Sequence, residues 1–476
     1  MTGSPAPRIV VAGLAGDAGK TLVALAILLA ARERGLEVRG FKKGPDYIDA
    51  AWIAWASGAP ARNLDTFLMG PAEAARSFAR HAARERLGDA GAVNVIEGNR
   101  GVFDGVDAAG THSTAVLAKL LDAPVVLVLD ARKVTATAAA PVRGCQAIDP
   151  ALRIAGVVLN QVGGRRHADV AREAIERLCG VPVLGAIPRF DASRVLPGRH
   201  LGLVPPAEHG STTRAAEALL AIAREHLELD RILSAAASAP PMEQADAAAT
   251  AAGGAEGTRP GPVTIGYVSD SAFSFYYPEN LEALESRGAA LVPVSSIAGR
   301  PLPADLDALY IGGGFPETHG AAIAANAEFL GSLRRRARQG MPIFAECGGL
   351  MVLAASMEWR GTRHAMAGVL PVDIEVLDAP QGHGYVELSV DRPNAFFPVG
   401  LEIRAHEFHY SRISGGLPAT ACAVLRGAGC GGGREAIVDN RVWASYAHVH
   451  AAGVPAWADG MMRAAREYRA EAGGRS

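Results

Sequence analysis

The sequence predicts an α/β protein built of two doubly wound, mainly parallel-sheet domains. Three observations predict it: short β-branched apolar runs alternate with Ala-rich stretches, the alternation recurs in the second half, and a segment of different composition lies between. Strands separated by helices, and apolar on both faces, belong to parallel sheets covered on both sides. Between about Ser234 and Pro260, Ala, Gly, Pro, Ser and Thr dominate and large apolar residues almost vanish. Such a segment cannot bury enough surface to offset its ordering entropy. Residues 234–261 are therefore expected to link an N-terminal domain, 1–233, to a C-terminal domain, 262–476.

In the first domain the strand runs are Arg8–Ala12, Val93–Ile96, Pro124–Leu129, Ile154–Leu159 and Val183–Ile187. In the second they are Thr264–Val268, Ala308–Ile311 and Pro342–Ala345, while Glu387–Val390 and Ile437–Val442 read as edge or antiparallel strands. The chain shows no internal repeat of fixed period.

The 476 residues carry 47 Lys or Arg against 49 Asp or Glu, a net charge of −2, and 49% are hydrophobic. That balance excludes a disordered chain and a nucleic-acid binder working by bulk positive charge. Met1–Arg8 has no basic segment leading into an apolar stretch, and the longest apolar run, Leu22–Ala31, is about half the ~20 residues a bilayer requires. A cytoplasmic protein without a membrane partner is expected. Cys145, Cys179, Cys347, Cys422 and Cys430 are scattered with no C-x-x-C pair, which argues against a disulfide framework and a zinc site.

Gly13-Leu-Ala-Gly-Asp-Ala-Gly-Lys-Thr21 follows the first strand directly and opens a helix, the context of a phosphate-binding loop. Gly13 and Gly19 let the backbone approach phosphates, the helix N-terminus supplies N–H donors, Lys20 supplies charge, and Thr21 supplies a hydroxyl for Mg²⁺. The generic loop has Gly where Leu14 stands, and a plain Gly-rich turn is the bland alternative. The adjacent Gly-Lys-Thr favours phosphate. Downstream lie Lys42-Lys-Gly-Pro-Asp-Tyr-Ile-Asp49, Asn63-Leu-Asp65 and Ile96-Glu-Gly-Asn-Arg-Gly-Val-Phe-Asp104-Gly. Glu97 ends an apolar strand, where ligands bind on an open parallel sheet and where a Mg²⁺-directed carboxylate belongs. Singly, each cluster reads as a loop with a solvated Asp; with Lys20 and Thr21 they become a site.

In the second half, Phe344-Ala-Glu-Cys347-Gly-Gly-Leu-Met closes an apolar strand with a tight turn and starts a helix. This is a nucleophile elbow in thiol form, and the helix N-terminus is expected to lower the thiol pKa. The other four cysteines read as inert buried thiols. A thiol nucleophile needs a base, and Ala444-Ser-Tyr-Ala-His448-Val-His450 offers two imidazoles. Ile311-Gly-Gly-Gly-Phe-Pro-Glu317 and Gly348 bring N–H groups suited to an oxyanion hole, with a plain Gly-rich turn as the alternative.

The loop G-x-x-x-x-x-G-K-T followed by K-x-G-P-D-Y-I-D, N-L-D and E-G-x-x-G-x-[FY]-D-G resembles the cobyrinic acid a,c-diamide synthase family. The loop G-G-G-[FY]-P-E and His406-Glu-Phe-His-Tyr-Ser411 also match it, and the resemblance spans both domains outside the linker. It implies a dethiobiotin-synthetase-like, P-loop NTPase-type ATP domain joined to a class I glutaminase-like domain, and the earlier glycine, Gly13, is the family's own form of the loop. Three departures stand out: Asp17 where the family usually has Gly, Asn99 and Arg100 where it has apolar residues, and His450 where class I glutaminases commonly have a Glu that orients the base. The third member of a triad is therefore open between His450 and none.

The resemblance implies ATP- and glutamine-dependent amidation of the a and c carboxylates of cobyrinic or hydrogenobyrinic acid through acyl phosphates. ATP is then a co-substrate and Mg²⁺ the cofactor. Cys347 and His448 would release ammonia from glutamine, with an enclosed passage keeping it unprotonated. Gly13, Gly19, Lys20, Thr21 and Lys42 would hold phosphate, and Asn160 would read adenine. Thr21, Glu97 and Asp46 would face Mg²⁺, Asp46 and Asp104 would lie around the acyl phosphate, and Tyr47 and Asp104 would face the tetrapyrrole. The partners are small molecules, and the oligomeric state is left open, a homodimer included. A nearer rival amidates sirohydrochlorin, its nickel complex or sirohaem, which Asn99 with Arg100 keeps open. A rival of another class is a P-loop regulatory or partitioning ATPase with an inactive glutaminase-like domain, against which the intact Cys347 and His448 count. His406–Ser411 is assigned no catalytic role.

Overall fold

The computed structural model describes residues 6–84, 91–199, 202–242 and 262–473. The chain divides into two compact units, Met1–Thr66 with Gly70–Ala247, and Phe67–Met69 with Ala248–Ser476.

The first unit is built on a seven-stranded sheet: β1 (Arg8–Gly13), β2 (Glu37–Lys43), β3 (Arg62–Leu64), β4 (Ala92–Gly101), β5 (Val125–Asp130), β6 (Ile154–Val162) and β7 (Val183–Pro188). Its order is β3-β2-β4-β1-β5-β6-β7, and the pairings within it are parallel. Every residue of β1 is buried, as a central strand covered on both faces requires. The helix Lys20–Glu33 buries every residue of its Leu22–Leu28 stretch, so the longest apolar run is a core helix. Register sets the site: Glu97 of β4 pairs with Val11 on one side and Lys42 on the other. These rows end at the carboxyl edge of the sheet.

Two strands, β2 and β3, have no counterpart among the expected runs. Lys42 and Lys43 close β2 as buried residues, and a buried lysine pair interrupts any apolar signature. The last helix of this unit, Leu229–Ala237, buries Ile232 and Ala236, so the composition change at Ser234 begins inside a helix. The part of the expected linker from 243 to 261 lies outside the described residues. A two-stranded ribbon, β8 (Gly198–Arg199) with β9 (Gly202–Leu203), completes the unit's strands.

The second unit continues with β10 (Val263–Val268), β11 (Phe273–Phe275), β12 (Ala289–Val294), β13 (Ala308–Ile311), β14 (Gly313–Gly314) and β15 (Ile343–Glu346). Then come β16 (Ser356–Trp359), β17 (Thr362–Ala365), β18 (Asp373–Val376), β19 (Gly382–Val390), β20 (Glu402–His409) and β21 (Ser411–Ser414). The last are β22 (Thr420–Arg426), β23 (Arg434–Asp439), β24 (Val442–Ser445) and β25 (His448–Val449). Ten of them form one sheet, β12-β10-β13-β15-β24-β23-β22-β19-β20-β25, parallel from β12 to β24 and antiparallel beyond. The unit is α/β, with a mixed sheet.

The expected strand Ile437–Val442 is in fact a hairpin. Asn440, at φ 51°, turns β23 into β24, and β24 then runs parallel beside β15 in the sheet interior. Glu387–Val390 is the end of β19, antiparallel and paired on both sides, with Val386, Leu388 and Val390 buried in alternation. Phe344 of β15 stacks on Trp443 of β24 at 5.8 Å, and the helix Pro455–Gly473 covers them with Trp457 and Met461. This packing fixes the end of β15, where the thiol stands.

Candidate active sites

Gly19 closes the phosphate loop at φ 97°, and a Cβ there would stand 2.3 Å from Asn160 Nδ2. Only glycine meets both demands. Asp17, in the place of the family's glycine, adopts φ 54°, a left-handed geometry that Asp tolerates better than most residues, and it is exposed. Lys20 Nζ donates to the Ala15 carbonyl at 2.9 Å, which curls the loop around its own cation. Burial lowers the Lys20 pKa, Lys42 lowers it further, and Glu97 opposes them. Asn160 is buried; its Nδ2 donates to Ala18 O at 2.9 Å and its Oδ1 accepts from Gln161 N at 2.9 Å. Its amide therefore braces the loop, and reading adenine would use only its remaining hydrogen-bonding capacity.

Lys42 Nζ lies 2.6 Å from Asp49 Oδ2, 2.9 Å from Glu97 Oε1 and 3.2 Å from the Gly98 carbonyl. Burial opposes its charge, but Asp49, Glu97 and Asp46 outweigh burial and hold it protonated. Thr21 Oγ1 donates to Glu97 Oε1 at 2.6 Å. Glu97 Oε2 is buried with no hydrogen-bond partner among the described residues. An orphaned carboxylate oxygen beside a hydroxyl, at the edge where phosphates would sit, fits a hard divalent cation completed by phosphate and water. Among the described residues no group of three or more His, Cys, Asp or Glu is arranged to hold a metal by itself.

Asp46 caps the helix Tyr47–Ser57, its Oδ1 accepting from Asp49 N at 2.7 Å, and its carboxyl is pushed up to about 7 by burial and then by Asp49. Asn63, from the N-L-D motif, donates to the carbonyls of Gly44 at 2.8 Å and Asp46 at 2.9 Å. The motif thus holds the Lys42–Asp49 loop in shape. Asn99 packs on Gly44, whose Cβ would meet its Nδ2 at 2.8 Å. Asp104 is exposed and folds back, Oδ2 accepting from Gly101 N at 2.7 Å. Tyr47 is half-buried at the start of its helix.

In the second unit Cys347 stands between β15 and the helix Gly348–Leu353 at φ 48°, ψ −97°. A non-glycine residue held there is strained, and strain of this kind gathers at reactive turns. Its amide donates to Ser445 O at 2.6 Å. Burial pushes the Cys347 thiol up, Glu317 adds to the rise, and the Gly348 N–H only partly opposes them. The expected lowering by the helix N-terminus is therefore outweighed, because the helix has six residues and the sulfur is buried.

His448, on β25, lies against the Gly-rich loop: a Cβ on Gly313 would stand 2.5 Å from its Cε1 and 3.3 Å from its Nε2. Its Nδ1 is 3.8 Å from Glu346 Oε2. His450 Nε2 lies 3.8 Å from Glu279 Oε2, and its ring packs on Tyr277 at 4.6 Å. In the loop, the amides of Gly312 and Phe315 are engaged with the Tyr276 hydroxyl at 2.8 Å and the Ala272 carbonyl at 2.9 Å. Gly314 N comes within 3.2 Å of where a Gly348 Cβ would stand, so the Gly-rich loop brings a backbone N–H beside the thiol turn. His409, of the His406–Ser411 motif, stacks on Tyr446 at 3.7 Å and contacts Ser411 O at 2.7 Å through Nδ1. Cys145, Cys179 and Cys422 are buried free thiols raised by burial, and Cys430 is raised by burial and by Glu435.

Residues 9–204 match the CobQ/CobB/MinD/ParA nucleotide binding domain, and residues 264–455 match the CobB/CobQ-like glutamine amidotransferase domain. A protein of Magnetococcus marinus named cobyrinate a,c-diamide synthase is 43% identical over 463 residues, 97% of each chain. One of the same name from Methanothermobacter thermautotrophicus is 39% identical over 465 residues, covering 97% of this chain and 100% of that protein. The chain belongs to the cobyrinate a,c-diamide synthase family. It is a glutamine-dependent amidating ligase with an ATP-utilising nucleotide-binding domain. No helix among the described residues is long and apolar enough to cross a membrane.

Proposed function

We propose that this chain amidates the a and c carboxylates of cobyrinic acid, or of hydrogenobyrinic acid, with glutamine as nitrogen donor and ATP as activating co-substrate. The observation that carries the reading is the match, over 97% of both chains, to a cobyrinate a,c-diamide synthase. The two site geometries support the two half-reactions.

At the thiol, Cys347 Sγ attacks the glutamine side-chain carbonyl carbon while its proton passes to His448. The resulting oxyanion is received by backbone N–H groups near Gly314 and Gly348. His448 returns the proton to the departing ammonia, and water releases glutamate from the thioester. At the phosphate loop, the substrate carboxylate displaces ADP from the γ-phosphoryl group, giving an acyl phosphate. Ammonia then displaces inorganic phosphate and leaves the amide. Lys20 and Lys42 neutralise the phosphates, Asp46 and Asp104 position the acyl phosphate, and Tyr47 faces the tetrapyrrole. Thr21 and Glu97 are the residues that would hold Mg²⁺, which would offset phosphate charge during transfer. The acyl transfer occupies the chemistry of the first unit and the thioester that of the second.

Mass spectrometry of products formed from ATP, Mg²⁺, glutamine and a panel of tetrapyrrole acids tests the reading. A diamide from cobyrinic or hydrogenobyrinic acid is expected. Amidation confined to sirohydrochlorin, its nickel complex or sirohaem would transfer the assignment to the related acid. Asn99 beside Gly44 and the adjoining Arg100 are the departures that keep that second reading in view.

A further inference from the structure

The base of a thiol glutaminase needs a partner for its second ring nitrogen, since that partner decides which nitrogen carries the proton. His450 stands where such a partner commonly lies, yet its Nε2 is beside Glu279 and its ring is on Tyr277. Another carboxylate is better placed. Glu346, the residue before the nucleophile, is fully buried at the end of β15. Its Oε1 accepts from the backbone N–H of Val449, the residue after His448, at 2.8 Å. Its Oε2 accepts from the Tyr310 hydroxyl at 2.7 Å and lies 3.8 Å from His448 Nδ1.

Charge sharpens the assignment. A buried carboxylate requires a counter-charge or several donors. Among the described residues, His448 is the one side chain within ion-pairing distance of Glu346 that can become a cation. The remaining partners, Tyr310 and the Val449 amide, are neutral.

Resting on the Cys347 and His448 roles proposed above, we infer that Glu346 is the positioning residue of His448. It takes the Nδ1 proton in a hydrogen bond, keeps Nε2 as the lone-pair nitrogen that receives the thiol proton, and balances the imidazolium that results. The 3.8 Å separation needs to close by about 1 Å to reach hydrogen-bonding length, a tightening common when substrate binds. The same side chain holds the strand that carries His448, through Val449, and adjoins Cys347 in sequence. Base and nucleophile therefore share one anchor.

The test is Glu346→Gln, which keeps the shape and an acceptor for Val449 N–H but can present N–H to Nδ1, favouring the wrong tautomer. Glutaminase kcat should fall by ~10²- to 10⁴-fold, with KM for glutamine little changed and ammonia-driven amidation retained. In ¹⁵N-histidine NMR, His448, assigned by the signal lost in His448→Gln, should carry its neutral-form proton on Nδ1 in the wild type and on Nε2 in Glu346→Gln. A purely structural role would lower stability and leave the tautomer alone. Wild-type kcat in Glu346→Gln, or an Nε2–H tautomer in the wild-type protein, overturns the assignment. The wild-type spectrum decides even if the variant does not fold. Glutaminase activity surviving in Cys347→Ala would instead overturn the underlying reading.

Discussion

The two candidate sites prepare for chemistry by opposite means. The phosphate site is a set of buried charges: Lys42, 2% exposed, is held between Asp49 and Glu97, and Lys20 is curled into its own loop. The thiol site has acidic neighbours and a candidate nucleophile whose ionisation burial opposes, and it relies on backbone shape, with Cys347 at φ 48° followed by Gly348, which packs on Gly314. The difference follows the ligands. A polyphosphate demands cations that are already in place and already balanced, so reorganisation is small when it binds. A neutral amide demands one nucleophile aimed correctly, and the thiolate is needed only with an imidazolium beside it.

The comparison breaks most sharply at Cys347. Cys347→Ala should lower glutamine-driven amidation by ~10⁴-fold or more, since nothing else supplies the nucleophile, while synthesis from added ammonium salts persists. Loss of both activities in a folded variant would show that the two sites do not divide the work. Next comes Lys20→Ala, where synthesis should fall by ~10²- to 10³-fold with either nitrogen source, the scale of one preorganised charge at a transition state. Near wild-type turnover at saturating ATP would mean that this loop does not hold the nucleotide.

Legibility in the sequence followed the same divide. Strands apolar on both faces, such as β1 and β5, could be read directly, and Gly-Lys-Thr and Cys-Gly-Gly marked the two reactive turns because glycines serve backbone needs that few other residues meet. The strand β2 could not, because its buried Lys42 makes sense only beside Asp49, from the helix that follows, and Glu97, which the pairing of β2 with β4 brings in from elsewhere. Asn63 was visible as a motif, but its work, bonding the carbonyls of Gly44 and Asp46, depends on the parallel pairing of β2 with β3. Glu346 carries no local signal at the end of an apolar strand, since its partner Val449 lies 103 residues further on. The hairpin at Asn440 reads as one strand because Ile437–Val442 is apolar at both ends and hides its turn.

Asp104 offers a subtler probe of the charged site. It is exposed and one oxygen is engaged with Gly101 N–H, a bond that Asn can also accept. Asp104→Asn therefore preserves the turn and removes only charge. If Asp104 positions the acceptor or acyl phosphate, amidation should fall by ~10²-fold with ATP affinity little changed, and monoamide should accumulate in product analysis. An ATP Kd raised as much as turnover is lowered would instead place Asp104 among the nucleotide or metal ligands.

The smallest expected effect concerns the cost of gathering these charges. The Asp46 carboxyl is pushed up to about 7, from an ordinary 3.8, by burial and then by Asp49, with Lys42 opposing. Between those values the unfolded chain has released its proton and the folded one still holds it, so folding takes up a proton. The contribution of Asp46 to stability is thus fully present below about pH 3.8 and is lost as pH rises through 7. Asp46→Asn keeps the cap, since Asn also accepts from the Asp49 N–H, and it does not titrate. The melting temperature of the variant, measured without nucleotide, should therefore gain on the wild type between pH 5 and pH 8 by something on the order of 5 °C, the partial exposure of Asp46 trimming the effect. A melting difference that stays constant over that range would mean that Asp46 ionises as an ordinary surface carboxylate, and the cluster around Lys42 would then hold its charges without strain.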